Sequence, residues 1–198
     1  MSRISPAPPE ILAELAEDFE KAQKTRGYIA SSWYMLARKP KIFKLFRQLS
    51  NAVMQDPGEV PGPLKTMIAE VVSAAAGCRY CTAHTAATAY KSGIPVEKVE
   101  ALWHFQTSPL FDDGERAALN LALAAGSCPT TVTDAHFDEL KKHFSENAII
   151  EIVAVLALFG WQNRWNDTLA STLEDKPLSF AQDHLAESGW TVGAHGKS

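Results

Sequence analysis

Apolar residues recur at helical spacing through most of the chain. In residues 10–25 they fall at Ile11, Leu12, Leu15 and Phe19, which line one side of a helix. The same spacing predicts further helices over residues 33–38, 42–54, 64–76, 79–91, 96–105, 115–125, 135–144 and 146–173. No segment shows the strict alternation of apolar and polar residues that is typical of strands. The pattern therefore predicts an all-α fold, a compact multi-helix domain.

A glycine separates two of these helices and precedes a pair of cysteines. Gly77 suits the left-handed end of one helix, so the next helix is expected to begin at about Arg79. Cys78 and Cys81 then lie in its first turn on one face, where the helix dipole favours a thiolate. His84, three residues after Cys81, is placed to take the thiol proton. This CxxC at a helix N-terminus predicts thiol redox chemistry.

Glu70 lies off the apolar stripe of the preceding helix. On one straight helix it would be about 16 Å from Cys81, too far for contact. If the chain folds back at Gly77, a Glu–His–Cys proton relay is geometrically possible. A simply exposed Glu70 fits the same spacing, so both interpretations stay open.

The last predicted helix is apolar nearly all round in its first half, which is typical of a central, buried helix. Polar residues then continue its buried face at Asn163, Arg164 and Asp167. Arg164 and Asp167 are three residues apart and can pair. They form either a network at a subunit interface or site, or a helix end that emerges from the core.

Composition limits the classes of protein that fit. The 198 residues are 46% hydrophobic, enough for one sizeable core, so we expect a single helical domain over 1–198 with loose termini at 1–9 and about 182–198. A net charge of −4 without a basic stripe argues against nucleic acid. The apolar run 148–161 is too short to span a membrane, which takes about 20 residues. The N-terminus lacks the apolar stretch of a signal peptide, so a cytoplasmic location is expected.

Two segments of the chain resemble a known family. The sequence from Glu70 to Thr85, EVVSAAAGCRYCTAHT, resembles the signature of the alkylhydroperoxidase D-like branch of the carboxymuconolactone decarboxylase family. Residues 159–170, FGWQNRWNDTLA, are similar to the last helix of that branch, and the similarity covers roughly residues 27–181. The resemblance implies an all-α fold in which a helical pair packs into symmetric homo-oligomers, as a trimer, or as a dimer or hexamer.

The resemblance also implies a thiol-dependent peroxidase cycle. In it Cys81 attacks the hydroperoxide, Cys78 is the resolving cysteine, His84 and Glu70 move protons, and Tyr80 lines the site. The resulting sulfenic acid condenses with the second thiol to a disulfide. A dithiol reductant, either a lipoyl-type adaptor or a thioredoxin-like protein, must reopen it. The cycle requires no cofactor and no metal.

Two positions depart from the founding members of the branch. Their histidine lies four residues after the second cysteine, whereas His84 lies three after Cys81. Their relay glutamate falls where this chain has Thr66, one helical turn before Glu70. Helix-end electrostatics alone would favour Cys78 as the more acidic thiol. The family instead assigns the attack to Cys81, and the adjacency of His84 supports that assignment.

Other functions remain compatible with the residues. A lactone decarboxylase, like the enzymes that give the family its name, works without a cysteine pair. A non-enzymatic thiol redox sensor or an oligomeric scaffold would keep the pair without turnover. A zinc site from Cys78, Cys81 and His84 would need a fourth ligand, from Cys128 or a distant histidine. The cysteines can also be inert and structural.

Overall fold

The computed structural model describes residues 2–197, and all of its regular structure in that range is helical. The helices are α1 (Pro9–Ala13), α2 (Ala16–Arg26), α3 (Ser31–Leu36), α4 (Pro40–Met54), α5 (Gly62–Ala75), α6 (Arg79–Lys91), α7 (Val96–Glu100), α8 (Asp113–Gly126), α9 (Asp134–Leu140), α10 (Glu146–Leu169) and α11 (Asp175–His184), with short 3₁₀ turns at Ala101–His104 and Gly193–His195. The predicted all-α fold is confirmed. Within residues 2–197, no helix combines the length and the apolar character needed to cross a bilayer.

The main core forms around α5, which packs against α6, α8 and α10. Every residue of α5 from Leu64 to Ser73 is buried, because neighbouring helices cover several of its faces. Alanines on the facing side of α6, such as Ala83 and Ala86, are fully buried and allow close approach of the two helices. The α5–α6 pair therefore lies inside the protein and carries the CxxC segment at its junction.

A second apolar cluster joins α2, α3 and α4. Its centre is aromatic: Phe19 stacks on Phe43 with ring centroids 5.7 Å apart, and Trp33 meets Phe43 edge-on at 5.5 Å. The Arg47 guanidinium lies over the Trp33 ring, 4.1 Å from its centroid. This cluster fixes the loop before α3, which contributes Tyr28 to the region around the cysteines.

The turn between α5 and α6 forms as predicted. Gly77 has φ of +75°, which only glycine adopts without strain. The Cys78 N–H donates to the Ser73 carbonyl at 3.0 Å, which closes α5. Cys78 is the N-cap residue of α6, which begins at Arg79. The predicted placement of the CxxC at a helix N-terminus is confirmed.

The C-terminal third differs from the sequence-based prediction. The helix predicted over residues 146–173 ends at Leu169, because Ala170 adopts the left-handed conformation with φ of 49°. The chain then reverses and forms α11, which the sequence pattern did not predict. The helix predicted over residues 10–25 is likewise two helices, α1 and α2.

Both chain ends, which were expected to be loose, are packed. The Arg3 N–H donates to the Leu169 carbonyl at 2.8 Å, and Ala7 is buried. At the other end Leu185, Trp190 and His195 are all buried, and α11 packs on α6. Apolar burial at Leu185 and Trp190 explains why this end is ordered. Met1 and Ser198, the outermost residues of the two predicted loose segments, lie outside the described residues.

The apolar stripe of α4 faces outward rather than into the core. Leu45 is 56% exposed and Leu49 is 55% exposed, while Phe43, on the opposite side, is fully buried. On α10, which was expected to be buried all round, Ile150 is 68% exposed. Phe46 stacks on Trp161 with centroids 4.6 Å apart and connects the two helices into one exposed apolar face.

Candidate functional site

The two cysteines lie side by side as buried free thiols. The Cys78 S–H donates to Cys81, and this hydrogen bond together with burial raises the pKa of the Cys78 thiol well above its ordinary value. Cys78 is thus the member of the pair that keeps its proton. The thiolate of this pair is therefore best placed on Cys81.

A polar contact from α10 reaches the sulfur of Cys81. The Asn166 Nδ2–H₂ group donates to Cys81 Sγ at 3.3 Å. The Ser171 hydroxyl donates to Asn166 Oδ1 at 2.8 Å, which fixes the orientation of the amide. A donor held toward the sulfur stabilises its anionic form. Sequence reasoning missed Asn166, although its position among the polar residues that end the buried face of α10 was a usable signal.

His84 lies between a carboxylate and a phenol. Its Nε2 donates to Glu174 Oε2 at 2.6 Å, and its Nδ1 lies 3.1 Å from the Tyr28 hydroxyl oxygen. The other carboxylate oxygen, Glu174 Oε1, accepts hydrogen bonds from the Tyr80 hydroxyl, at 3.1 Å, and from the Ser31 backbone N–H. Glu174 thus orients a histidine one helical turn beyond Cys81.

The ionisation of these groups follows from their surroundings. Burial alone would raise the pKa of the Glu174 carboxyl. The charge of His84 and the hydrogen bond that His84 donates outweigh this effect and hold the pKa below its usual value. Burial raises the pKa of Tyr28 to about 12, and burial followed by the Glu174 charge raises the pKa of Tyr80 well above 10. Both phenols therefore remain protonated donors, and the carboxylate stays charged.

Glu70 is buried but does not join His84. Its carboxylate accepts a hydrogen bond from the Thr85 hydroxyl, and that hydroxyl also lies 2.8 Å from the Cys81 carbonyl oxygen. Within residues 2–197, no hydrogen bond connects Glu70 to His84, so the predicted direct relay is wrong in its partner. Glu174 occupies the place beside His84, because the chain reversal after α10 brings it there.

The environment of Glu70 is unusual for a carboxyl group. Its side chain is 1% exposed, and its Oε1 has no hydrogen-bond partner among the described residues. Burial raises its pKa from 4.5 to about 8, offset in part by the Thr85 hydrogen bond. Glu70 also lines a cavity of about 200 Å³ with Trp103, Phe105 and Leu123. Because its pKa is about 8, the Glu70 carboxyl group is mostly neutral at pH 7.

The polar residues predicted along α10 separate into different roles. Asp167 pairs with His195 at 3.1 Å rather than with Arg164. Arg164 is exposed and lines a groove with Ile4, Trp161, Trp165 and other residues. Asn163 is 3% exposed, and its amide atoms have no partner among the described residues. A carboxylate oxygen of Asp167 lies within 4.8 Å of Cys78 Sγ.

Three groups with potential metal-binding atoms meet at Cys78. Its Sγ, a carboxylate oxygen of Asp167 and a ring nitrogen of His195 lie within 4.8 Å of one another. In the described part of the chain, Cys78, Cys81 and His84 do not form such a group, because His84 faces Glu174. Both ring nitrogens of His195 face hydrogen-bond acceptors, so hydrogen bonding accounts for its position.

Comparisons with known proteins place the chain in a family. The sequence profile of the carboxymuconolactone decarboxylase family matches residues 40–124, which contain the whole α5–α6 pair. The debrominase Bmp8 is 31% identical to this chain, and the match covers 91% of this chain and 97% of Bmp8 with a TM-score of 0.84. The chain belongs to the carboxymuconolactone decarboxylase family.

Other relatives are more distant or match a shorter stretch. The protein YnjA of Escherichia coli (strain K12) is 32% identical over 111 residues, 54% of this chain, and the match spans 61% of the length of YnjA. A peroxidase-related protein from Ralstonia eutropha JMP134, described as an alkylhydroperoxidase AhpD core, is 24% identical with a TM-score of 0.79 over 91% of this chain and 95% of its own. This last match supports the fold alone. A cysteine-to-alanine variant of Bmp8 has also been solved in complex with 2,3,4-tribromopyrrole.

Proposed function

We propose that this protein is a dithiol-dependent reductase of hydroperoxides, a peroxidase in which Cys81 attacks and Cys78 resolves. The observation that carries the proposal is the paired arrangement of two thiols with unequal surroundings. Cys81 receives a donor from Asn166, whereas Cys78 is the protonated partner. Before a substrate arrives, Cys81 is thus the proposed thiolate and Cys78 the proposed thiol.

In the first step the Cys81 thiolate attacks the terminal oxygen of a hydroperoxide. An S–O bond forms, the O–O bond breaks, and the alkoxide that leaves takes a proton to become an alcohol. His84 is the proposed source of that proton, with Tyr28 and Glu174 fixing its ring. Glu70 has no place in this transfer, since it bonds Thr85 instead.

In the second step the Cys78 sulfur displaces the hydroxyl group from the Cys81 sulfenic acid. A disulfide forms and water leaves, so the two thiols have supplied the two electrons that reduced the peroxide. A dithiol reductant, lipoyl-type or thioredoxin-like, then reopens the disulfide. A reducing compartment such as the cytoplasm suits this cycle.

The proposal is tested by thiol titration of the metal-free, reduced protein before and after one equivalent of an organic hydroperoxide. The expected result is the loss of two thiols together, with one equivalent of alcohol formed and full recovery with dithiothreitol. Reversible disulfide formation without turnover would favour the thiol sensor. Two thiols that persist in the presence of peroxide would contradict the redox proposal as a whole.

A second candidate is reductive debromination, which the similarity to Bmp8 over 91% of this chain favours. In this reaction the Cys81 thiolate takes bromine from a bromoarene, the carbon gains a proton, and Cys78 then displaces bromide to form the same disulfide. The two reactions differ only in the atom attacked. Parallel oxygen-free incubations with an organic hydroperoxide and with 2,3,4-tribromopyrrole distinguish them: alcohol supports the peroxidase, whereas bromide and dibromopyrrole support the debrominase.

Replacing Glu174 by glutamine is expected to slow turnover by about 10²-fold while leaving substrate affinity nearly unchanged. The amide keeps the shape but removes the charge that orients and stabilises a protonated His84. The pH profile of the first step should change with it, which a loss of folding would not produce. Asp175→Asn, at the exposed neighbouring position, is the matched control and should behave as the unchanged protein. Equal pH profiles for Glu174→Gln and the unchanged protein would contradict the assignment.

We propose further that the exposed apolar face of α4 and α10 binds a second copy of the chain. Large apolar side chains on this face include Leu45, Leu49, Ile150 and Trp161, each at least 39% exposed. Contiguous apolar surfaces of this kind are typical of permanent subunit contacts. The contact between Phe46 and Trp161 makes the face continuous across both helices.

Substituting Leu45 by glutamate is expected to convert the oligomer to monomer, with at least about a tenfold weaker association, because the carboxylate would be buried in an apolar contact. Sedimentation velocity over a range of concentrations measures the change. Leu110→Glu is the control, since Leu110 is similarly exposed at 46% but lies in the loop before α8. An unchanged protein that is monomeric at all concentrations would contradict the proposal.

A further inference from the structure

The C-terminal segment brings a buried histidine to the resolving cysteine. His195 is 3% exposed, although it lies only three residues from the end of the chain. Its backbone is tied to the body by a 2.9 Å hydrogen bond from the Leu173 N–H to the His195 carbonyl. One ring nitrogen lies within 4.8 Å of Cys78 Sγ. The segment after Leu185 therefore ends with an imidazole beside Cys78.

Hydrogen bonding defines the protonation of this ring. Nδ1 lies 2.7 Å from the Ser171 carbonyl oxygen, which can only accept. Nε2 lies 3.1 Å from Asp167 Oδ1, and a carboxylate also can only accept. Both ring nitrogens therefore face acceptors, and only the doubly protonated, positively charged ring donates to both of them. Asp167, whose side chain is 42% exposed, balances that charge and remains in contact with solvent.

We propose that His195 is a positioning residue for Cys78, whose charged ring favours the Cys78 thiolate during disulfide closure. This inference rests on the proposed function, because it assigns a role within its second step. Three titratable or charged groups face Cys78: Cys81 from α6, Asp167 from α10 and His195 from the C-terminal segment. Among them His195 is the positive group.

The order of the two steps follows from this arrangement. In the reduced protein Cys78 donates to the Cys81 sulfur, which keeps Cys78 protonated and leaves the attack to Cys81. Once Cys81 is a sulfenic acid, its sulfur is no longer an anion, so the hydrogen bond that kept Cys78 protonated is lost. The charge of His195 then favours ionisation of Cys78, whose sulfur attacks Cys81. The Cys78 proton and the displaced hydroxide leave as water, and both sulfurs end at the disulfide oxidation level.

The first measurement is made in a Cys81→Ser background, where no substrate chemistry is needed. The ultraviolet absorbance of the thiolate and the rate of alkylation by iodoacetamide both report ionisation of Cys78. We expect His195→Gln to move the midpoint of Cys78 ionisation upward by about one pH unit or more, with alkylation at neutral pH about tenfold slower. Asp167→Asn should move the midpoint in the opposite direction, because it removes a negative charge.

The second measurement is made with both cysteines present. After one equivalent of an organic hydroperoxide, the Cys81 sulfenic acid, trapped with dimedone, should persist about tenfold longer in His195→Gln. The initial rate of attack should be unchanged. His184→Gln is the matched control, because His184 pairs with Glu100 on the surface.

These measurements separate the inference from the proposed function. If the Cys78 midpoint moves as expected but no peroxide is reduced, the role of His195 stands and the peroxidase proposal fails. If neither His195→Gln nor Asp167→Asn moves the midpoint, the inference is overturned. Reduced protein that retains one zinc ion per chain, lost in His195→Gln, would also overturn it, because the three side chains would then be ligands.

Discussion

Replacing Cys81 by serine is expected to abolish hydroperoxide-dependent disulfide formation and to lower turnover at least about a thousandfold. A serine hydroxyl at this position does not ionise near neutral pH, so the hydrogen bond from Asn166 has no thiolate to stabilise. Alcohol production from an organic hydroperoxide, with a dithiol as reductant, measures the loss. The remaining Cys78 thiol should stay reduced in the presence of peroxide.

Two further cysteine variants make this result decisive. Cys78→Ser should still react once with peroxide and accumulate a sulfenic acid on Cys81, because only the resolving thiol is missing. Cys128→Ser should be indistinguishable from the unchanged protein, since Cys128 is exposed and distant in sequence from the pair. A sulfenic acid that accumulates in Cys81→Ser and not in Cys78→Ser would reverse the two roles.

Replacing Glu70 by glutamine is expected to stabilise the protein strongly at alkaline pH and hardly at all at pH 4.5. Burial raises the Glu70 pKa from 4.5 to about 8, so between these values the folded state holds a proton that the unfolded state has released. The free energy of unfolding then falls by about 1.4 kcal/mol for each pH unit gained in this window. Glutamine has no proton to lose. At pH 8 the free energy of unfolding of the variant should therefore exceed that of the unchanged protein by on the order of 3–4 kcal/mol.

Urea unfolding of both proteins at several pH values between 4.5 and 8.5 measures this difference. Glu20→Gln is the control, because Glu20 is exposed on α2 and should leave the pH dependence unchanged. The expected result is a difference between Glu70→Gln and the unchanged protein that widens as the pH rises. Parallel curves would mean that Glu70 is charged when folded, and that the cavity beside it is well hydrated.

The helical architecture was largely predictable because most helices have a regular apolar stripe. The exceptions have local causes. Helix α11 contains Pro177, which is tolerated because it lies in the first turn, but which in the sequence has the appearance of a helix break. The end of α10 depends on the left-handed conformation of Ala170, which alanine does not favour and no sequence rule indicates. The outward direction of the α4 stripe was not predictable, because the spacing of apolar residues does not indicate what covers them.

The site was predictable only where its residues are close in the sequence. The grouping of Cys78, Cys81 and His84 follows from a three-residue spacing on one helix. Glu174 reaches His84 across 90 positions of the chain, and His195 reaches Asp167 across 28. No spacing rule relates such positions, and the family resemblance, which implies Glu70 as the acid of the relay, could not indicate that Glu174 lies beside His84.

The sequence by itself determined the family, the helical fold and the pair of thiols at the start of α6. These features depend on interactions within a few residues, or on patterns that a single helix must satisfy. Only the tertiary structure decided which thiol keeps its proton, which carboxylate orients His84, and which histidine lies beside Cys78. Those choices depend on burial and on charges brought together from distant elements, and both arise when the helices pack.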